Sequence, residues 1–280
     1  MKINTVKDAL DELKNIDIEN DYAYEKVIWK YLTCVNLPIF ACKIPKNTII
    51  FRTRTHEDNK LYTKISDIGL VPKQIVANFG RCNKPFQSVF YSSDNRPTSY
   101  SELVEDWARS KNNGDRVYVT IGAWKLKEDA DFIIVTSPNK EDRISDFDKE
   151  HGPSLEKFIS GYNPEDQEIL KEIYQFLFEI FRKPSNGNKL TYLLTTAYSN
   201  LSLMHDEAKA HGIYYPSVAS GDQGVNFAIN ESFSRENLEL IYAMCNEFEV
   251  SFDENKKFHC KEIGKMESKN VDLTNNRIEW

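Results

Sequence analysis

The feature that most narrows what this chain can fold into is one long amphipathic helix pattern set between two groups of short β-prone runs. From about Asn163 to Phe181, the residues Ile169, Leu170, Ile173, Tyr174, Phe176, Leu177 and Ile180 recur at helical spacing, with Pro164 near the start and Pro184 beyond the end. Ahead of it, Thr48–Phe51, Ser88–Tyr91, Arg116–Ile121 and Phe132–Val135 are short runs of β-branched, aromatic and aliphatic residues. After it, Ile213–Pro216 and Val225–Ile229 return to strand chemistry, and Phe248, Val250 and Phe252 alternate. Strands on both sides of a helical block predict an α+β domain.

The remaining segments fill in that plan. Val6, Leu10 and Leu13 give a helix from Thr5 to about Asn15, and Ala23, Val27, Ile28, Tyr31 and Leu32 form an apolar stripe between Asp21 and Leu37. We therefore expect a helical leader over residues 1–40 and one domain over 41–280, with a helical insertion at about 142–189. Thr98 or Ser99 can cap a helix from Tyr100 to Ala108, after a turn at Asp94-Asn95-Arg96-Pro97. Leu190–Asn200 and Leu201–His211 read as a second helical region that Gly212 terminates. The last dozen residues are polar and are expected to fray or form an edge. With 280 residues, 40% of them hydrophobic, the chain can bury one large core, or one core and a small appendage.

Charge and cysteine usage exclude whole classes of function. A net charge of −7 argues against a broad basic face for nucleic acid and leaves room for a local cationic pocket. No run approaches the roughly 18 apolar residues of a membrane span, and Met1-Lys2-Ile3-Asn4 leads into a charged helix, so a soluble, cytoplasmic protein is expected. The five cysteines, Cys34, Cys42, Cys82, Cys245 and Cys260, are odd in number and contain no CxxC pair, which predicts reduced thiols and no zinc knuckle. His259 and Cys260 are adjacent and point apart on a strand, so no metal site is expected there.

Four polar motifs interrupt the apolar runs. In Phe51-Arg52-Thr53-Arg54, alternation puts both arginines on one strand face, where a guanidinium matches pyrophosphate oxygens; two solvated strand-end arginines would look the same. Gly80-Arg81-Cys82-Asn83 is a turn that lets backbone approach a ligand, with Asn83 placed to bond a ribose hydroxyl or to fix the loop. Tyr91 can stack on a flat ring, and Glu102, eleven positions on, lies in a first helical turn where the helix dipole alone would favour it. Tyr215-Pro216-Ser217, ahead of Asn226, offers a hydroxyl from a loop without the glycine pattern of a hydrolase nucleophile. Converging, such a set suits an anionic, aromatic, sugar-bearing ligand, for which NAD is the obvious candidate.

In order and character these motifs resemble the RES family, named for its Arg, Glu and Ser positions, whose members look like ADP-ribosyltransferase-fold proteins that degrade NAD. The resemblance runs from about Ile49 to Ile229; Cys82 stands where the family's Gly-x-Arg-Trp-Asn type of segment has tryptophan. It implies small mixed sheets with NAD in a cleft between them, and NAD as substrate with no separate cofactor. It further implies that Arg52 clamps pyrophosphate, Tyr91 stacks, Glu102 stabilises an oxocarbenium-like ribose, and Ser217 orients the nicotinamide side. Arg54, Arg81, Asn83 and Asn226 would assist binding. By analogy the protein is a toxin held by an antitoxin protein, with homo-oligomers allowed. Two other readings share the pocket: a transferase that attaches ADP-ribose to a macromolecule, and a nucleotide-binding module without catalysis.

Overall fold

Periodicity in the sequence resolves, in the computed structural model, into helices and strands over residues 2–35, 39–56, 60–184, 188–204, 209–221 and 223–280, the residues that the structure describes. The chain opens with helices α1 (Ile3–Lys14) and α2 (Ala23–Lys30), then strands β1 (Ala41–Ile44) and β2 (Ile49–Thr55) and a short helix α3 (Ile65–Ile68). Strand β3 (Val89–Ser93), helix α4 (Arg96–Ser110) and strands β4 (Arg116–Leu126) and β5 (Ala130–Ile134) follow. Three helices come next, α5 (Asp146–Ser160), α6 (Pro164–Arg182) and α7 (Lys189–Leu203). The last stretch holds β6 (Gly212–Pro216), β7 (Val225–Asn230), α8 (Glu231–Asn237), β8 (Leu238–Phe252), β9 (Phe258–Glu267), β10 (Asn270–Asp272) and β11 (Arg277–Glu279).

The result is an α+β arrangement around one nine-stranded sheet in the order β1-β5-β6-β7-β3-β2-β4-β8-β9, antiparallel except between β5 and β6. Its ladders are uneven. β2 pairs with β4 along the whole of Ile49–Thr55, and β3 pairs with β7 from Val89 to Ser93, yet β2 and β3 share the single register pair Phe51↔Ser93. Two well-laddered halves are thus joined by a seam, where the small separate sheets of the sequence reading would have met. Among the described residues no helix is long and apolar enough to cross a membrane.

The main core lies between the sheet and the helices. α6 buries Ile173, Leu177, Ile180 and Phe181, α1 adds Val6, Leu10 and Leu13 from the leader, and the sheet contributes Ile133, Ile213 and Ile229. α1 packs on α6 and α2 on α7, so leader and insertion share one apolar cluster. A smaller cluster of Trp107, Val117, Val119, Phe248 and Val250 seats α4 on β4 and β8.

Several local expectations are corrected. α4 begins at Arg96, because the Asn95 side chain accepts the Thr98 N–H and Pro97 fits the first turn; Glu102 is therefore two turns in, beyond the helix-terminal field. Gly212 opens β6 rather than closing a helix: an added Cβ there would lie 2.4 Å from the Ala228 carbonyl oxygen, so the sheet itself requires glycine. The end of the chain is docked as the β10/β11 hairpin, with Ile278 buried and the Trp280 indole donating to the Tyr62 carbonyl. Leu37, Asp222 and residues 205–208 of the expected second helical region lie outside the described residues. β1, β9 and the first half of β8 are strands that the sequence reading did not identify.

Candidate functional site

The seam opens into a cleft of about 320 Å³, at the small end of the roughly 300–1,000 Å³ typical of ligand sites. Where β2 and β3 diverge, their facing backbone groups lose ladder partners, and Arg52 fills the gap. Its Nε donates to the Gly69 carbonyl at 3.1 Å and its Nη1 to the Tyr91 carbonyl at 2.7 Å, while the guanidinium stacks 4.9 Å from the Phe90 ring centroid. The side chain is buried and has no carboxylate within ion-pair distance among the described residues. Burial, with the charge of Arg54 adding to it, pulls the guanidinium down to about 9. Beside it Ser92 places a buried hydroxyl with no hydrogen-bond partner among the described residues, and both line the cleft. Arg54 shares the strand face of Arg52 but does not line the cleft.

Opposite this cation stands a held carboxylate. Glu102, on the exposed side of α4, accepts two bonds at one oxygen, Oε1: from the Ser217 hydroxyl at 2.7 Å and from Asn226 Nδ2 at 2.7 Å. Asn226 is oriented in turn by the Ser93 hydroxyl, 2.8 Å from its Oδ1. No donor among the described residues reaches Oε2, and Glu102 lines the cleft. Ser217 is fully buried behind Glu102, so its hydroxyl orients the carboxylate rather than reaching a ligand. The loop after Ser217 fits only because Gly224 has no side chain: a Cβ there would sit 1.9 Å from the Thr98 hydroxyl on α4. The Ser217 N–H closes the loop on the Gly224 carbonyl at 2.8 Å.

The turn at Gly80 builds the third wall. Tyr91 accepts the Cys82 N–H at 2.7 Å and donates to Asn83 Oδ1 at 2.9 Å, while Asn83 Nδ2 bonds the Asn78 and Lys84 carbonyls. Asn83 is buried and fixes the loop, the second of its two expected roles. With its hydroxyl anchored, Tyr91 presents its ring to the cleft, and burial pushes its phenol well above the ordinary value. Arg81 lies at the cleft but donates to the Phe181 and Lys183 carbonyls at 2.8 and 3.1 Å, closing the C-terminal end of α6. Cys82 is buried, and burial pushes its thiol up to about 12, which leaves it inert as a nucleophile at neutral pH.

Arg52, Tyr91, Glu102, Arg81 and Asn226 thus meet at one cleft, with Ser217 and Asn83 behind it and Arg54 aside. Tyr215, from the fourth motif, lines the same cleft, and the sequence reading missed Tyr192 and the hydroxyl pair Thr53–Ser99, at 2.7 Å, which line it too. Tyr192 sits on α7, whose buried positions include Thr191, Thr195, Thr196, Ser199 and Ser202. Of these hydroxyls, Thr196 donates to the Gly80 carbonyl at 2.7 Å, while Thr195 and Ser199 bond carbonyls within α7, so the sequence carries no clear signal for Tyr192. Among the described residues no group of three His, Cys, Asp or Glu side chains is placed to hold a metal ion. No model of a known protein family matches the chain, and no curated protein matches it.

Proposed function

We propose that the chain is an NAD-degrading enzyme of ADP-ribosyltransferase type that cleaves the bond between nicotinamide and ribose. The observation that carries this reading is the Glu102 carboxylate, held at Oε1 by Ser217 and Asn226 and with no donor to Oε2 among the described residues, in the same cleft as the buried Arg52. A ligand with a diphosphate and a cationic ring on ribose has complementary groups for both ends. Arg52 binds pyrophosphate through the guanidinium hydrogens that its two carbonyl partners leave over. Tyr91 offers its ring face to a base.

Glu102 acts on the ribose next to nicotinamide. As the C1′–N bond breaks, its electron pair returns to the pyridinium nitrogen and neutralises it, and positive charge develops on the ribose. A carboxylate pre-oriented by two donors needs no reorganisation to meet that charge. Water or inorganic phosphate then adds at C1′; with water, the proton released leaves to Oε2 or solvent. The seam in the sheet supports an ADP-ribosyltransferase-like fold, because it opens a cleft between two laddered halves. In a cell such an enzyme is a toxin, restrained by an antitoxin protein.

The test is nicotinamide release from NAD by purified protein, supplied with water alone and then with phosphate. Wild type should deplete NAD. Glu102→Gln should fold and bind NAD while turnover falls about a thousandfold, the scale of one lost electrostatic stabiliser. NAD that stays intact under all conditions overturns the enzyme reading, and substantial turnover by folded Glu102→Gln removes Glu102 from the mechanism.

A further inference from the structure

The most conspicuous unassigned surface lies away from the cleft. Trp29 and Leu32 on and just after α2, Phe86 in the loop before β3 and Met204 at the end of α7 are 67%, 62%, 69% and 77% exposed, and all line one open groove of about 980 Å³. Ile28, Leu201 and Leu203 line it with them. If a large side chain covers roughly 150–250 Å², the four exposed ones leave on the order of 500 Å² of apolar surface together. That is near the top of the roughly 300–600 Å² found for the largest patch on a monomer. It is also more than half of the roughly 800 Å² per partner in a standard interface.

Phe86 is presented by construction. Its φ is 61°, a conformation bulky residues rarely adopt, and its side chain points to solvent all the same. The loop is anchored on both sides. The Phe86 N–H donates to the Val76 carbonyl at 2.8 Å, Gln87 Nε2 bonds Asn200 Oδ1 at 2.5 Å, and Asn200 Nδ2 donates to the Tyr24 hydroxyl at 2.9 Å. Strain held in an anchored loop to keep an aromatic ring in water points to a surface that is covered in use.

We propose that this groove is a two-fold interface between two copies of the chain. An isologous contact needs a patch that complements itself, each side supplying both projection and hollow. Here the projections Trp29 and Phe86 stand beside a hollow lined by Leu201 and Leu203 on the same face. Among the described residues the charges at the groove balance as well: Glu25 and Glu231 against Lys84 and Arg235, in a chain of net charge −7. A locally neutral rim with both signs accepts a rotated copy of itself, whereas the rest of this acidic surface repels one. The proposal does not depend on what the cleft binds.

Sedimentation of the full chain over a concentration series tests it. Standard interfaces of about 1,600 Å² span roughly micromolar to picomolar affinity and a smaller one lies at the weak end, so wild type should be dimeric at and above roughly tens of micromolar. Tryptophan emission should shift to the blue as dimer forms, since Trp29 is far more exposed than Trp107 or Trp124, at 4% and 6%. Trp29→Glu and Phe86→Asp should each weaken association at least a hundredfold, with circular dichroism unchanged. Leu32→Lys, at another exposed position, supplies an independent variant if either fails to fold. Wild type that stays monomeric throughout, a dimer indifferent to all three changes, or a monomer that binds a different protein through this face each overturns the proposal.

Discussion

Replacing Arg52 by methionine should leave the free protein close to wild type in stability while abolishing its response to NAD. The guanidinium is buried without a carboxylate partner among the described residues, and burial pulls its value from the ordinary guanidinium range down to about 9. A base whose folded value lies below its unfolded one opposes folding at every pH below about 9, and the opposition fades as pH rises from there towards the unfolded value. A drop of that size corresponds to roughly 5 kcal/mol. Methionine removes this penalty, and it also removes two charge-assisted hydrogen bonds to carbonyls, roughly 1.5–3 kcal/mol each, and the stacking on Phe90, roughly 1–2 kcal/mol. The net lies between a gain of about 1 and a loss of about 3 kcal/mol, read as a modest shift of the urea midpoint with unchanged slope.

The second half of the experiment repeats the denaturation with NAD. At a concentration a hundredfold above the dissociation constant, a bound ligand adds about 2.7 kcal/mol, and Arg52→Met should show none of it. A variant less stable than wild type by more than about 4 kcal/mol would show that the guanidinium is a structural strut. If it also kept the NAD-dependent shift, the argument for Arg52 as an anion clamp would be refuted.

Three further outcomes rest on other parts of the site and fold. Ser217→Ala removes one of two donors to Glu102 Oε1; hydrogen bonds to charged groups are worth roughly 1.5–3 kcal/mol, so kcat for nicotinamide release should fall about ten- to a hundredfold with NAD affinity unchanged, and an unchanged kcat would exclude the serine from the machinery. Gly224→Ala forces a Cβ to within 1.9 Å of the Thr98 hydroxyl, so stability should fall by roughly 1–3 kcal/mol and turnover with it; a variant of normal stability and turnover would show that α4 gives way freely. Burial lowers the His211 and His151 imidazoles below their ordinary value, which stabilises the fold above about pH 6.5 and is lost as pH falls through the folded values. His211→Gln should flatten the decline in urea midpoint below pH 6.5, and an identical pH profile would remove His211 as a contributor.

What was legible in the sequence followed local rules. The apolar period of α6 and the β-prone runs of β2, β3, β6 and β7 needed only local composition and spacing, and the grouping of Arg52, Tyr91, Glu102 and Asn226 came from the motif order and the family resemblance it carries. What escaped depended on distant partners. β1 and β9 are edge strands with exposed or half-buried patterns, so neither carries a strong alternation of its own. Gly212 looks like a helix stop until the Ala228 carbonyl is seen pressing on it. Arg81 reads as a ligand cation, and only the fold brings the end of α6, about a hundred residues later, within its reach. Ser217 was placed at the site by its motif, but its work on Glu102 rather than on a ligand follows from its burial.

The seam explains why these residues gather where they do. A fully laddered sheet satisfies its backbone internally and leaves no room for a charged side chain between strands. With β2 and β3 paired only at Phe51↔Ser93, the Tyr91 carbonyl takes its bond from Arg52, and the side chain that closes the gap is the one that leaves unused donors in it. Next to that single pair, Ser93 orients Asn226, and Asn226 orients Glu102. Cation and carboxylate are therefore referenced to the same point of the sheet, one from each side of the seam. A change that lengthens the β2/β3 ladder should draw Arg52 out of position and disturb the Glu102 relay together, coupling affinity and turnover. Independent responses of the two would mean that the seam is incidental to the site.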